Sequence, residues 1–151
     1  MLDTDFATEN YCDHLLFLNR HGDAACRATP SSFQKMAEDH AKATRAQVMQ
    51  SLPITFSVAD VAWPEREAAT LAAMQAGEAL IAGGLLTAQG ITCQPALLQR
   101  QGDGQYQAGV VVTGAQFSSA NSAANRFTLA VAEAALVAAG FCLPRHEGFC
   151  V

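Results

Sequence analysis

Residues 65–114 constrain the fold of this 151-residue chain more than any other stretch. The segment that begins at Glu65 is rich in alanine, which favours a helix, and Gly77 is the kind of residue that ends one. Three apolar segments follow, over residues 79–87, 91–100 and 105–113. Gly90 separates the first two, and Asp103-Gly104, a hairpin signal, separates the last two. The pattern predicts one helix followed by a meander of three strands.

The flanking segments predict further helices and short strands. Helices are expected from Glu9 to about Asn19, from Ser31 or Ser32 to about Leu52, and from within residues 118–122 to about Ala139. Strands are expected at 54–58, and shorter pieces at 141–143 and 149–151. Because neighbouring strands form a meander while helices lie before and after it, we expect one α+β domain over residues 1–151, with a mixed sheet flanked by helices.

Composition favours a globular protein. Half of the residues are hydrophobic and only 15% are charged, which is unlike a disordered chain. No apolar run reaches the roughly 18–20 residues that a membrane helix needs. The acidic start, Met1-Leu-Asp-Thr-Asp-Phe, lacks the layout of a signal peptide. These features predict a cytoplasmic protein without a membrane segment.

The charge balance bears on the partner. Nine Lys+Arg stand against fourteen Asp+Glu, so the formal net charge is −5, and Lys35 and Lys42 are the only lysines. Nucleic-acid binders usually carry a basic excess, because phosphate contacts supply much of their affinity. A protein partner, or a second copy of this chain, is therefore favoured over naked DNA or RNA. A local cluster of arginines would still allow the chain to bind a nucleic acid.

Cys12 with the turn His21-Gly22-Asp23, the segment Pro95-Ala96-Leu97-Leu98 and the strand-like run from Tyr106 to Gly114 follow one another in an order and spacing that resemble the RecB-like nucleases of the PD-(D/E)XK superfamily. Each segment alone is a weak signal, whereas their order and spacing are more specific. Residues 11–23 resemble the family's first helix, with Cys12 and a His-Gly-Asp turn. Ala69 to Leu86 is similar to the family's helix-to-strand passage, and Pro95-Ala96-Leu97-Leu98 occurs where active members read Pro-Asp-Leu-Leu. Tyr106 to Gly114 corresponds to the strand on which they carry Asp-x-Lys or Glu-x-Lys. Leu129 to Glu133 falls where they carry a Gln-x-x-x-Tyr helix.

The resemblance implies a restriction-endonuclease-like fold, but the catalytic groups of the family are missing. An active member holds one or two divalent metals with carboxylates, and a lysine assists. The corresponding positions in this chain fall on Arg45, Ala96, Val111 and Thr113. No Asp, Glu or Lys occurs over residues 91–102 or 105–116, so a shift of register by one or two residues does not restore the site. We therefore expect no catalytic residues and no cofactor.

Two alternatives to an inactive domain stay open at this point. The first is a Mg²⁺-dependent DNA nuclease whose acids have moved, for example to Glu38, Asp39 or Glu78. The second is a metal-binding or iron–sulfur accessory subunit, because some nucleases of this superfamily hold a cluster through one cysteine in the first helix and three near the C-terminus. Cys12, Cys142 and Cys150 are the weak candidates for such ligands, although the closely spaced C-terminal triplet is missing. If Arg45, Arg100 and Arg126 converged on the vestigial cleft, they would contact a phosphate backbone.

Overall fold

A computed structural model describes residues 17–18, 21–26, 29, 31–112, 123–142 and 149–150 of the chain. Within these residues the protein is an α+β domain built on a mixed sheet. The longer helices are α1, Ser32–Ser51, α2, Arg66–Ala76, and α3, Ala123–Ala138. The strands are β1, Phe56–Ser57, β2, Leu80–Ala82, β3, Leu86–Ala88, β4, Ile91–Cys93, β5, Leu97–Arg100, β6, Tyr106–Val110, and β7, Phe149–Cys150. None of the helices in the described part of the chain is long and apolar enough to cross a bilayer.

Helices α1 and α2 begin and end where local chemistry favours it. Ser31 caps α1 through a reciprocal pair: its hydroxyl accepts a hydrogen bond from the Gln34 amide, and its own amide donates to the Gln34 side chain. Leu52, the C-cap, precedes Pro53, which cannot continue a helix. Helix α2 follows a 3-10 turn at Trp63–Glu65 and ends at Gly77, whose φ of 79° is the left-handed conformation that glycine accommodates.

The five-stranded sheet has the order β1-β2-β5-β6-β7. Strands β2, β5 and β6 are antiparallel neighbours, whereas β1 and β7 lie parallel to their neighbours at the two edges. Strands β3 and β4 form a separate two-stranded hairpin. The main core lies on the sheet face that α2, α3 and this hairpin cover, and it includes Ile81, Leu98 and Tyr106 from the sheet with Val131, Ala132, Ala135 and Leu136 from α3.

The meander of three long strands predicted from the sequence is wrong in its detail. The segments 79–87 and 91–100 each break into two short strands, so that β2 and β5 pair in the large sheet while β3 and β4 pair outside it. The first break falls at Gly83-Gly84, where Gly83 has a φ of 68°. The second falls at Pro95, which has no amide to donate to a neighbouring strand. A hydrogen bond from the Gly83 amide to the Ala96 carbonyl, 3.0 Å long, joins the two breaks.

The opposite face of the sheet carries a smaller apolar cluster. Its buried members are Leu80, Ala82 and Leu97, and Met49, Leu52, Ile54, Ala96 and Val111 pack against them. We call these eight residues the second-face cluster. Helix α1 therefore touches the sheet through its C-terminal end, and none of its residues is fully buried.

Candidate functional site

Strand pairing brings together two of the four positions where the resemblance locates catalytic groups. Ala96 immediately precedes β5 and Val111 immediately follows β6, and in the register of this pair Leu97 lies opposite Gly109. Both residues are half-buried members of the second-face cluster and pack against its buried residues. The side chains at this end of the β5–β6 pair are thus aliphatic, and aliphatic groups cannot ligate Mg²⁺, which requires oxygen ligands.

The other two vestigial positions are less well placed to act with them. Arg45 is exposed on α1, one helical turn before Met49, which does contact the second-face cluster. Thr113 lies outside the described residues. On the last helix, the resemblance implies that the Gln-x-x-x-Tyr positions fall near Thr128 and Ala132, and Ala132 is fully buried in the main core.

The structure does not bring Arg45, Arg100 and Arg126 into one cleft. Arg100 ends β5, at the far end of that strand from Ala96, and its guanidinium donates to the Gly77 carbonyl at 3.2 Å. Arg126 lies near the start of α3. Arg100 lies near the other end of this helix: its register partner Tyr106 donates its amide to the carbonyl of Phe141, which follows the end of α3. At 1.5 Å per residue, Arg126 and the end of α3 are roughly 18 Å apart.

Arg45 lies on α1, which packs on the opposite face of the sheet from α3, the helix that carries Arg126. The C-terminal end of α1 packs on the second-face cluster, whereas α3 packs on the main core across the sheet. The prediction that three arginines line one phosphate-binding cleft is therefore not met by their positions. The physical reason is that Arg100 interacts with the C-terminus of α2, where a cation is favoured by the helix dipole.

The cysteine ligand hypothesis cannot be followed in full, because Cys12 and the side chain of Cys150 lie outside the described residues. Cys142 is half-buried and packs against the main core, and Cys93 is fully buried within that core. Cys26 is exposed. In the described part of the chain, no three His, Cys, Asp or Glu side chains are grouped as metal ligands would be.

Glu38, Asp39 and Glu78, the acids considered as relocated ligands, do not lie beside Ala96. Glu38 and Asp39 are exposed in the part of α1 that projects beyond the second-face cluster. Glu78 is half-buried in the connection between α2 and β2, and its backbone carbonyl is the acceptor for the Tyr106 hydroxyl. The positions of these acids give no pair of carboxylates at the end of the β5–β6 pair.

Tyr106 is a buried polar residue that the sequence did not single out. Its side chain is 1% exposed, and its hydroxyl donates to the Glu78 carbonyl at 2.7 Å, with the Met74 carbonyl 3.4 Å away. The ring of Phe141 packs edge-on against it, with centroids 5.8 Å apart. Burial raises the pKa of this phenol above its ordinary value of 10.0; Arg100 opposes the rise and the Glu78 carboxylate adds to it. The residue joins the C-terminal end of α2 to the sheet, which is a structural role.

Comparison with known proteins finds no family model, no curated protein and no solved structure that matches the chain. The described residues form an α+β domain with a five-stranded mixed sheet and a separate hairpin. Its candidate site is the end of the β5–β6 pair, where Ala96 and Val111 pack against Leu80, Ala82 and Leu97.

Proposed function

We propose that this chain is a catalytically inactive relative of the RecB-like nucleases of the PD-(D/E)XK superfamily, with a restriction-endonuclease-like fold, and that it acts by binding a protein partner or a second copy of itself. The order of its elements supports the proposal. Helix α2 is followed by β2, by the separate hairpin of β3 and β4, by β5 and β6, which are antiparallel neighbours of β2 in the sheet, then by α3, and then by β7 parallel to β6. The segments that resemble the family, Ala69 to Leu86, Pro95 to Leu98 and the stretch that begins at Tyr106, include most of α2, β2, the start of β5 and β6.

The observation that carries the proposal is the aliphatic character of the second-face cluster. Ala96 and Val111 stand where an acid would be required, and the buried residues beneath them are Leu80, Ala82 and Leu97. A divalent metal bound there would lose water ligands without gaining oxygen atoms from these side chains, which is unfavourable. A site of this composition can hold apolar side chains in place but cannot activate water for attack on a phosphodiester.

The charge of the chain supports a protein partner over a nucleic acid. The formal net charge is −5, and the arginines at 45, 100 and 126 lie on different elements of the domain. A phosphate backbone needs several cations along one surface, because affinity grows with the number of phosphates that are neutralised. A protein partner requires no such row of positive charge.

A nuclease assay tests the inactive domain directly. The purified chain is incubated with Mg²⁺ or Mn²⁺ and with single- and double-stranded DNA and RNA, with and without a chelator. We expect no cleavage that depends on the metal. The matched control is the triple variant Glu38→Gln, Asp39→Asn, Glu78→Gln. Cleavage that the chelator abolishes, and that is weaker in this variant, would refute the proposal. Activity from a contaminating nuclease would not respond to these substitutions.

The accessory-subunit alternative has its own measurement. After anaerobic purification, a visible absorption band together with bound iron would show a cluster, and its loss in Cys142→Ser would connect that cluster with this chain. Partner binding is tested by light scattering after size exclusion, which gives the mass of the native chain. A monomer with no bound protein at any concentration would contradict the interaction function without bearing on the nuclease assay.

A further inference from the structure

The large sheet and the separate hairpin share one strand register. Ala82 lies opposite Leu97 at the end of the β2–β5 pair, and Leu86 lies opposite Cys93 at the start of the β3–β4 pair. Three residues lie between these two pairs on each segment of the chain, so no bulge interrupts the register. Residues 80–99 therefore form one two-stranded ribbon that bends where it leaves the sheet. We call these residues the bent ribbon.

Straightening the bend would keep the backbone pairing of the ribbon. The Gly83 amide donates to the Ala96 carbonyl at 3.0 Å, so these residues form a hydrogen-bonded pair in the common register. Such pairs alternate with non-hydrogen-bonded pairs along an antiparallel ladder, so the next hydrogen-bonded pair of a straight ribbon would be Leu85 with Gln94. Pro95 would fall at a non-hydrogen-bonded pair, where the ribbon needs no amide from it.

The residues at the bend are compatible with both shapes. Gly83 has a φ of 68°, and glycine adopts this left-handed conformation about as readily as the extended conformation of a straight strand. In the bent shape the Leu85 amide donates to the Thr70 hydroxyl at 3.0 Å. In a straight ribbon the Gln94 carbonyl would accept from the same amide, so this buried donor has an acceptor in either shape.

The outer part of the ribbon carries apolar side chains that fit α3. Leu86 and Cys93 are buried in the main core together with residues of α3, and α3 contacts both β3 and β4. A straight ribbon would carry these two side chains away from the α3 of their own chain. The surface that then fits them is the α3 of a second copy, because it has the same side chains. Exchange of an identical element between two copies reproduces the packing of the monomer while joining the chains.

We propose that two copies of this chain exchange the hairpin of β3 and β4, each bent ribbon straightening at Gly83-Gly84 so that its hairpin packs on the α3 of the other copy. The exchange rests on the proposed function, which includes a second copy as a partner, and it specifies the residues that the copies share. Because α3 packs on β6 as well as on the hairpin, the exchange requires α3 to be released. Exchanged dimers therefore form during folding rather than between folded monomers.

The substitution Gly83→Ala tests the exchange at the bend. The nearest described atom to the added Cβ is the Ala59 amide nitrogen at 3.9 Å, so the effect comes from the positive φ and not from a clash. A left-handed conformation costs a residue other than glycine roughly a factor of five or more in population. A dimer relieves two such residues, so we expect the dimerisation constant to rise by about 25-fold or more over the native chain.

The matched control is Gly90→Ala, in the turn between β3 and β4. Gly90 also has a positive φ, of 78°, and no atom from elsewhere in the described part of the chain lies within 4 Å of its added Cβ. This turn has the same conformation in the bent and the straight ribbon. The substitution should therefore strain monomer and dimer equally and leave the dimerisation constant unchanged.

Refolding over a series of protein concentrations measures the constant. Each protein is unfolded in urea and refolded, and size exclusion with light scattering gives the fraction of dimer. The dimer should increase with the refolding concentration and, once formed, persist on dilution in native buffer, because its release requires unfolding. Gly83→Asn should give a yield between those of the native chain and Gly83→Ala, since asparagine tolerates a positive φ better than alanine does. This variant keeps the test open if Gly83→Ala does not fold, which far-UV circular dichroism establishes.

Three results would overturn the exchange. The first is a monomer at every refolding concentration for all of the folded variants at Gly83, which would leave binding of a different protein partner untouched. The second is an equal rise in the dimerisation constant for Gly83→Ala and for Gly90→Ala. The third is a dimer that dissociates promptly on dilution, because it would be held by surface contacts; that result would agree with the proposed function while contradicting the exchange.

Discussion

Thr70 supports a sharp prediction, because its hydroxyl is buried and makes two hydrogen bonds. The residue lies in the middle of α2 and is fully buried. Its hydroxyl donates to the Arg66 carbonyl at 2.7 Å and accepts from the Leu85 amide at 3.0 Å. That second bond holds the chain just after the Gly83-Gly84 break against α2.

The substitution Thr70→Val removes the hydroxyl while keeping the branched shape. The Arg66 carbonyl keeps its backbone hydrogen bond within the helix, so losing the second bond from the Thr70 hydroxyl reduces the free energy of unfolding only a little. The Leu85 amide is different, because Leu85 is only 5% exposed and its amide would be left without that acceptor. A buried donor that loses its partner costs about 1–3 kcal/mol, and we expect the free energy of unfolding to fall by that amount.

Urea unfolding measures the change, and Thr44→Val is the matched control. Thr44 makes the same kind of bond to the carbonyl four residues earlier, that of His40, at 2.9 Å, but within the described part of the chain its hydroxyl accepts no hydrogen bond from a distant amide. With a slope of about 2 kcal/mol per molar urea, the midpoint for Thr70→Val should fall by roughly 1 M. Thr44→Val should stay within about 0.5 kcal/mol of the parent.

Equal stabilities of the two valine variants, at an unchanged slope, would refute this reasoning. A changed slope would point to an altered unfolded state instead. Thr70→Ser separates the two parts of the side chain, because it keeps the acceptor for the Leu85 amide and removes only the methyl group that lies near Gly84.

Two further substitutions follow from the packing. Tyr106→Phe removes the hydroxyl that donates to the Glu78 carbonyl, and we expect a loss of about 0.5–1.5 kcal/mol in urea unfolding. Since burial raises the pKa of this phenol, the stability advantage of the parent over Tyr106→Phe should be fully present below pH 10. This advantage should be lost as the pH rises through the folded-state pKa. An advantage that stays the same at high pH would contradict this reasoning. Gly84→Ala would place a methyl carbon 2.7 Å from the Leu98 side chain, which is fully buried, so a loss of about 1–3 kcal/mol in thermal or urea unfolding is expected. An unchanged midpoint for Gly84→Ala would show that Leu98 has room to move.

Local signals in the sequence were enough to locate the helix boundaries that depend on single residues. The capping serine, the proline after α1 and the left-handed Gly77 each act through the backbone within a few residues, and the structure confirms all three. The α+β class followed from the order of the elements. The length of the strands did not, because an apolar run such as residues 79–87 is equally consistent with one long strand or with two that belong to different sheets.

The candidate site was partly accessible from the sequence for a similar reason. Ala96 and Val111 lie at the same end of the β5–β6 pair because these strands are joined by a short hairpin at Asp103-Gly104, which fixes their register. Arg45, Arg100 and Arg126 are far apart in sequence, and their relative positions depend on which face of the sheet each helix covers. Periodicity defines the apolar side of a helix but does not say which surface it meets.

The position of α3 has a consequence for how the domain unfolds. This helix packs on the hairpin of β3 and β4 as well as on β6 of the large sheet. Removing α3 would therefore expose both sheets at once. The hairpin of β3 and β4 should for this reason unfold in the same cooperative unit as the five-stranded sheet. Amide protons in β3 and in β6 should become exchangeable only together, at the cost of global opening, even though the two strands belong to different sheets.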